Sequence, residues 1–98
     1  MTSKQRAYLR GLANSLEAIV HVGKGGMSDT IVKQADDALT ARELIKGKVL
    51  ETAPESARAT AEELALATNA AVVQVIGRTF VLYRQSPDES KIVLPRAR

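Results

Sequence analysis

Ala18-Ile19-Val20-His21-Val22-Gly23-Lys24-Gly25-Gly26-Met27-Ser28 holds a strand, a turn and the start of a helix in one short run. The first five residues are apolar or β-branched apart from His21 and stop at a glycine, which marks a short buried strand. Ser28 offers an N-cap for a helix running to about Arg42. Ile31, Ala35, Ala38 and Leu39 then recur at i, i+4, i+7 and i+8 and form one apolar stripe. Leu44 to Leu50 reads as a second strand, with Ile45, Gly47 and Val49 on one side and Lys46 and Lys48 on the other. A strand, helix and strand in this order predict a right-handed crossover between parallel strands.

Working outward, Ser3 to about Ala13 reads as a helix with Ser3 as N-cap. Tyr8, Leu9, Leu12 and Ala13 face inward, and Lys4, Arg6 and Arg10 outward. Pro54 stands where a third helix can start. That helix runs to about Thr68, with Ala57, Ala61, Leu64 and Ala65 as its stripe and Asn69 to end it. Ala71–Ile76 and Thr79–Arg84 read as strands joined by Gly77-Arg78, a Gly-X pair that suits a type II′ hairpin turn. Simple alternation sets Val73 and Val75 against Val72 and Ile76, and Phe80 and Leu82 against Val81 and Tyr83. Apolar on both faces, the pair is expected to sit centrally. The segment from Gln85 to Arg98, with Pro87 and Pro95, reads as an irregular tail. The expectation is one domain over residues 1–98: a two-layer α/β (α+β) fold in the order α-β-α-β-α-β-β. The second and third helices cover one face of a four-stranded mixed sheet, and the first helix part of the other.

The chain has 98 residues, 45% hydrophobic and 26% charged, which suits a single globular core. No cysteine is present, so disulfides and thiolate zinc sites are excluded. No apolar run is long enough for a membrane span. The polar N-terminus lacks a signal-peptide pattern, and a cytoplasmic protein is expected. The formal net charge is +3 and unevenly spread. Residues 1–48 carry a surplus of three positive charges, 49–77 a surplus of three negative and 78–98 again three positive. Basic ends around an acidic middle suit a molecule with one face for a polyanion, or a mixed solvated surface.

Gly23-Lys24-Gly25-Gly26 carries the chemistry. Glycines let a ligand approach the backbone, and the helix that follows begins with unpaired N–H groups and a partial positive pole. Phosphate suits such a place, and Lys24 adds a charge at the tip. A Gly-x-x-Gly loop of this spacing clamps the nucleic-acid backbone in KH domains; the alternative is a plain strand-to-helix turn. The P-loop spacing is absent. Lys46 and Lys48 suit phosphate contacts, or the lysine protection of an exposed sheet edge. Arg78 in the hairpin turn and Arg84 at its end share that ambiguity, and Arg10 is a further basic candidate. His21, the lone histidine, has no nucleophile beside it and is expected to be partly buried or in polar contact near the loop. Asp36-Asp37 and Glu62-Glu63 are adjacent on helices and diverge, so neither pair focuses on a metal. Only three aromatic residues occur, and base stacking of the RRM kind is disfavoured; Tyr8 and Tyr83 are the candidates left for it. No catalytic residue, metal, cofactor or small-molecule substrate is expected.

Several segments together resemble one family. They are Lys4-Gln5-Arg6 with Leu9-Arg10-Gly11-Leu12-Ala13, then Val22-Gly23-Lys24-Gly25-Gly26-Met27-Ser28, then Glu43-Leu44-Ile45-Lys46. Val75-Ile76-Gly77-Arg78-Thr79-Phe80-Val81-Leu82-Tyr83-Arg84 and Leu94-Pro95-Arg96 complete the series. In this order the chain resembles the YhbY-like stand-alone form of the CRM domain, the chloroplast RNA splicing and ribosome maturation domain. The resemblance implies a fold similar to the C-terminal domain of translation initiation factor three, and RNA binding with the family's loop on Gly23, Lys24, Gly25 and Gly26. It also implies association with ribosomal RNA in a precursor of the large subunit. The residues by themselves leave two other readings open, a general RNA chaperone and a protein-interaction module whose glycine loop is only a turn.

Overall fold

The structure is a computed structural model that describes residues 1–85 and Ile92. The elements are α1 (Ser3–Ala13), β1 (Ala18–Val22), α2 (Asp29–Arg42), β2 (Leu44–Val49), α3 (Ala57–Thr68), β3 (Ala71–Ile76) and β4 (Thr79–Tyr83). One sheet forms, in the order β1-β2-β4-β3. β1 and β2 run parallel, whereas β4 is antiparallel to both β2 and β3. The expected α/β class and order of elements are observed. The hairpin is not wholly central, however. β4 inserts between β2 and β3, which leaves β3 at an edge and Ile76 63% exposed. Of the tail expected over 85–98, only Gln85 and Ile92 fall within the described residues.

The helix starts differ from the sequence reading where a better cap lies nearby. α1 is capped by Thr2 rather than Ser3, because Gln5 three positions on completes a capping box. Each side chain takes the other residue's backbone N–H at 3.1 Å. α3 starts at Ala57 rather than Pro54, since the Ser56 hydroxyl accepts from Ala59 N–H. Asn69 ends it in the left-handed conformation, as expected. Gly77 has φ +57 and Arg78 no positive φ, as a type II′ turn requires.

Two apolar clusters sandwich the sheet. On one face α2 and α3 bring Ala35, Leu39, Ala61 and Leu64 against Val20, Ile45, Phe80 and Leu82. Gly47 belongs to this face because the Phe80 ring lies where a Cβ would stand. On the other face α1 sets Leu9 and Ala13 against Leu44, Val73, Val81 and Tyr83. Only that narrow stripe is buried. Tyr8 and Leu12, expected inside, are exposed, because α1 covers part of a face rather than lying in a groove. Ile92 packs against this second cluster and donates its N–H to the buried Glu43 carboxylate at 2.9 Å.

A β-bulge at Val73 overturns the expected alternation in β3. Pairing passes from Val72↔Leu82 to Gln74↔Val81, so Val73 is the extra residue. Val72 and Val75 therefore share the α2/α3 face, while Val73 packs under α1. Gln74, paired with Val81, also turns to the α1 face. Arg6, expected to be solvated, is half-buried instead. Its guanidinium donates to the Val72 and Val73 carbonyls at 2.5 and 3.1 Å and so satisfies the irregular stretch.

Candidate nucleic-acid interface

One end of the sheet gathers most of the predicted residues. Parallel pairing brings the C-terminal ends of β1 and β2 together, and the hairpin turn of β3 and β4 joins them there, with Val49 N–H donating to the Arg78 carbonyl. The Gly23–Gly26 loop closes as a turn, Gly26 N–H donating to the Gly23 carbonyl at 2.9 Å. Its glycines do three different jobs. Gly23 packs near Leu50. Gly26 has φ +64, and a Cβ there would come 2.9 Å from Pro54 Cγ. Gly25 alone faces open space, so close approach of a ligand is an advantage of that residue rather than of all three. Lys24 and Gly25 are exposed, and their N–H groups make no backbone hydrogen bond among the described residues. With the Lys24 ammonium they form a small anion-accepting tip. The α2 N-terminus adds less than expected. Ser28 Oγ already takes Ile31 N–H at 3.2 Å, and Asp29 places a carboxylate in the first turn.

Lys46 and Lys48 lie on β2, which is hydrogen-bonded on both sides, so protection of a free edge does not explain them. Their cross-strand partners, Val81 and Thr79, put both lysines on the α1 face. Lys48 is exposed, and its β1 partner is His21, which is exposed rather than partly buried. Arg10 is exposed on the last turn of α1. Lys24, Lys46, Lys48 and Arg10 form no ion pair among the described residues. Arg78 pairs only loosely with Glu51, at 3.7 Å between exposed side chains, a contact worth about 0–1 kcal/mol.

Arg84 stands apart. It lies at the opposite end of the sheet, bonded to the Asp36 carboxylate at 2.6 Å, the Thr40 hydroxyl at 2.8 Å and the Thr68 carbonyl at 2.8 Å. It ties β4 to α2 and α3, and its four terminal N–H donors are taken by these three bonds and the Asp36 carbonyl. Tyr83 is buried and so leaves the stacking candidates, whereas Tyr8 remains exposed. Burial first, and the Glu43 charge second, push the Tyr83 hydroxyl above its ordinary range.

Charge is sorted by face. Asp36, Asp37, Glu62 and Glu63 ride on α2 and α3, where the Lys33–Asp37 and Arg58–Glu62 pairs occupy the cations Lys33 and Arg58 and each helix keeps a net negative charge. On the α1 face and the loop end, Lys24, Lys46, Lys48 and Arg10 have no carboxylate partner among the described residues, and Arg78 has only its loose contact with Glu51.

Comparison with known proteins bears on the family and the fold. The family model described as the CRS1 / YhbY (CRM) domain matches residues 1–84. The Bacillus subtilis protein named Probable RNA-binding protein YqeI is 44% identical over 95 residues, covering 97% of this chain and 99% of that protein. A Haemophilus influenzae protein named RNA-binding protein is 38% identical over 96 residues, covering 98% of this chain and 96% of its own. A solution structure from Staphylococcus aureus, 44% identical, superposes with a TM-score of 0.81 over 97% of this chain and 99% of that one. The match extends from the capping box of α1 through the loop to Arg84, and the chain belongs to the CRS1/YhbY (CRM) domain family.

Proposed function

We propose that this chain is a non-enzymatic RNA-binding protein that engages ribosomal RNA in a precursor of the large subunit and assists its assembly. The observation that carries the reading is the set of cations Lys24, Lys46 and Lys48, which form no ion pair among the described residues: the exposed Lys24 stands on the loop end, and the exposed Lys48 and half-buried Lys46 on one face of the sheet, with the carboxylate-bearing helices on the other side. Polyanion binding uses such a surface: lysines neutralise phosphates and release counterions. Arg10 and Arg78 extend it, and Gly25 permits backbone approach at the tip. Arg84 is left out of the contact set, because its bonds hold helices to the sheet. Relatives named as RNA-binding proteins support RNA as the polyanion, and the ribosomal target follows from the family resemblance.

Sedimentation of lysates expressing the wild type or Lys24→Asp/Gly25→Asp tests this. Gly25 has no neighbour within 4 Å of a Cβ and no positive φ, so the variant retains the fold. The wild type is expected with large-subunit precursors at moderate salt, and the variant is expected to be released. An even spread of the wild type over all cellular RNA would favour a general chaperone. Absence of RNA from both would favour a protein-interaction module.

A further inference from the structure

α1 covers only part of its face of the sheet. Leu9 and Ala13 close over Leu44, Val73, Val81 and Tyr83, and the helix ends at Asn14. Beyond it the row His21, Lys48, Thr79 and Ile76, joined by strand pairing, is uncovered. Between the helix end and that row lies a cleft of about 220 Å³ lined by Asn14, Lys46, Gln74, Ile76, Thr79 and Val81.

The lining has a specific chemistry. The exposed Ile76 gives it apolar surface above a floor at the buried Val81, and Lys46 gives it one cation. No carboxylate lines it. The side chains of Asn14, Gln74 and Thr79 make no hydrogen bond among the described residues. Each amide supplies both donors and an acceptor, and the hydroxyl supplies either. An apolar surface beside paired donors and acceptors matches a flat heterocycle with polar edges, and the single cation suits the phosphate attached to it. The volume is below the roughly 300–1,000 Å³ of drug-sized sites. A larger hollow of about 580 Å³ at the other end of the sheet has Arg84 as its cation, and that guanidinium is already bonded to protein.

The bulge is what builds the cleft. Without the extra residue at Val73, strand alternation would turn Gln74 into the α2/α3 core and Val75 out to this face. A bulge that re-aims one polar side chain, with Arg6 donating to the carbonyls of Val72 and Val73, is a feature that sites use.

We infer that the cleft accepts a single unpaired nucleobase of the bound RNA, its edge held by Asn14 and Gln74 and its phosphate by Lys46 and Lys48. The inference rests on the RNA-binding reading, and it makes the protein a binder of single-stranded segments at this point. Phosphate contacts position the chain, and the cleft reads a base.

The test compares a single-stranded RNA oligonucleotide with a duplex of equal length, for the wild type and for Gln74→Leu/Thr79→Val. These substitutions keep size and charge. The expected result is a loss of about tenfold or more for the single strand, the scale of one bidentate base contact. Duplex affinity and the salt slope are expected to stay unchanged. Equal affinity of the variant and the wild type for the single strand would overturn the cleft. So would an equal loss on both RNAs, or wild-type binding to the duplex alone. A wild type that binds neither RNA would instead overturn the RNA reading itself. In the unmodified protein, side-chain amide NMR signals of Asn14 and Gln74 are expected to shift with the single strand. Shifts confined to Gly23–Gly26 would overturn the cleft without reliance on a variant.

Discussion

At the scale of single residues, the glycine loop separates two roles that look alike in sequence. Gly26 is fixed by its left-handed backbone and by the Pro54 ring, whereas Gly25 is open and free of positive φ. Gly26→Ala is expected to lower stability by about 1–2 kcal/mol, and Gly25→Ala to leave it unchanged or raise it slightly. Thermal melting of the two variants reads the contrast. Tyr83 provides a second residue-level expectation. Its buried hydroxyl has no hydrogen-bond partner among the described residues, and its pKa lies above the ordinary value of about 10 in the folded chain. The unfolded chain then loses this proton first as pH rises. The stabilisation is whole below pH 10 and is lost as pH climbs from there through the raised value. Tyr83→Phe is expected to be neutral or mildly stabilising at pH 7, and to make unfolding less steep above pH 10. Urea titrations at the two pH values check both.

At the scale of elements, the bulge in β3 is the feature that alternation could not show. Helix stripes were readable because Ala35, Leu39, Ala61 and Leu64 follow the helical period without interruption. The hairpin turn was readable because Gly77-Arg78 names its own geometry. Val72-Val73-Gln74-Val75, by contrast, has apolar residues on either phase, and nothing local says which valine is the extra one. What the structure adds from outside the strand is Arg6, which reaches across from α1 to the carbonyls of Val72 and Val73. Arg6→Ala leaves two carbonyls of the irregular stretch without that donor. It is expected to cost about 1.5–3 kcal/mol, the range for charge-assisted hydrogen bonds, and to loosen α1 from the sheet. Hydrogen exchange is expected to quicken in β3 and α1 and to be unchanged in α2. Equal protection everywhere would mean that the bulge is held by packing alone. The same hidden phase explains why Gln74, Asn14 and Thr79 were absent from the candidates read in sequence, while Lys46 and Lys48 were present. Charge shows in a sequence, whereas an uncharged side chain becomes a candidate only once the chain beside it is placed.

At the scale of the whole molecule, the uneven charge along the chain becomes an uneven charge between faces. The acidic middle segment, residues 49–77, supplies α3, whose Glu62 and Glu63 stand on the side away from Lys46 and Lys48, while Glu51 of the same segment stays at the loop end beside Arg78. Sequence position alone does not give that separation, since Lys33, Arg42 and Lys46 all lie in the first basic stretch yet divide between α2 and β2. Two processes were joined in the sequence reading of Arg84, charge and exposure. Only the fold parts them, by placing Asp36, Thr40 and Thr68 around its guanidinium.

One-sided binding is the central claim, and affinity for structured ribosomal RNA across a salt series tests it most directly. The comparison is between the wild type, Lys46→Gln/Lys48→Gln on the α1 face, and Lys33→Gln/Arg58→Gln on the helical face, with circular dichroism to confirm the fold of each. The wild type is predicted to lose affinity steeply with salt. The α1-face variant is predicted to bind more weakly, with a slope shallower by about 2, and the helical-face variant to match the wild type. Equal losses from both double substitutions, or none from either, would contradict an RNA surface confined to the α1 face and the loop end.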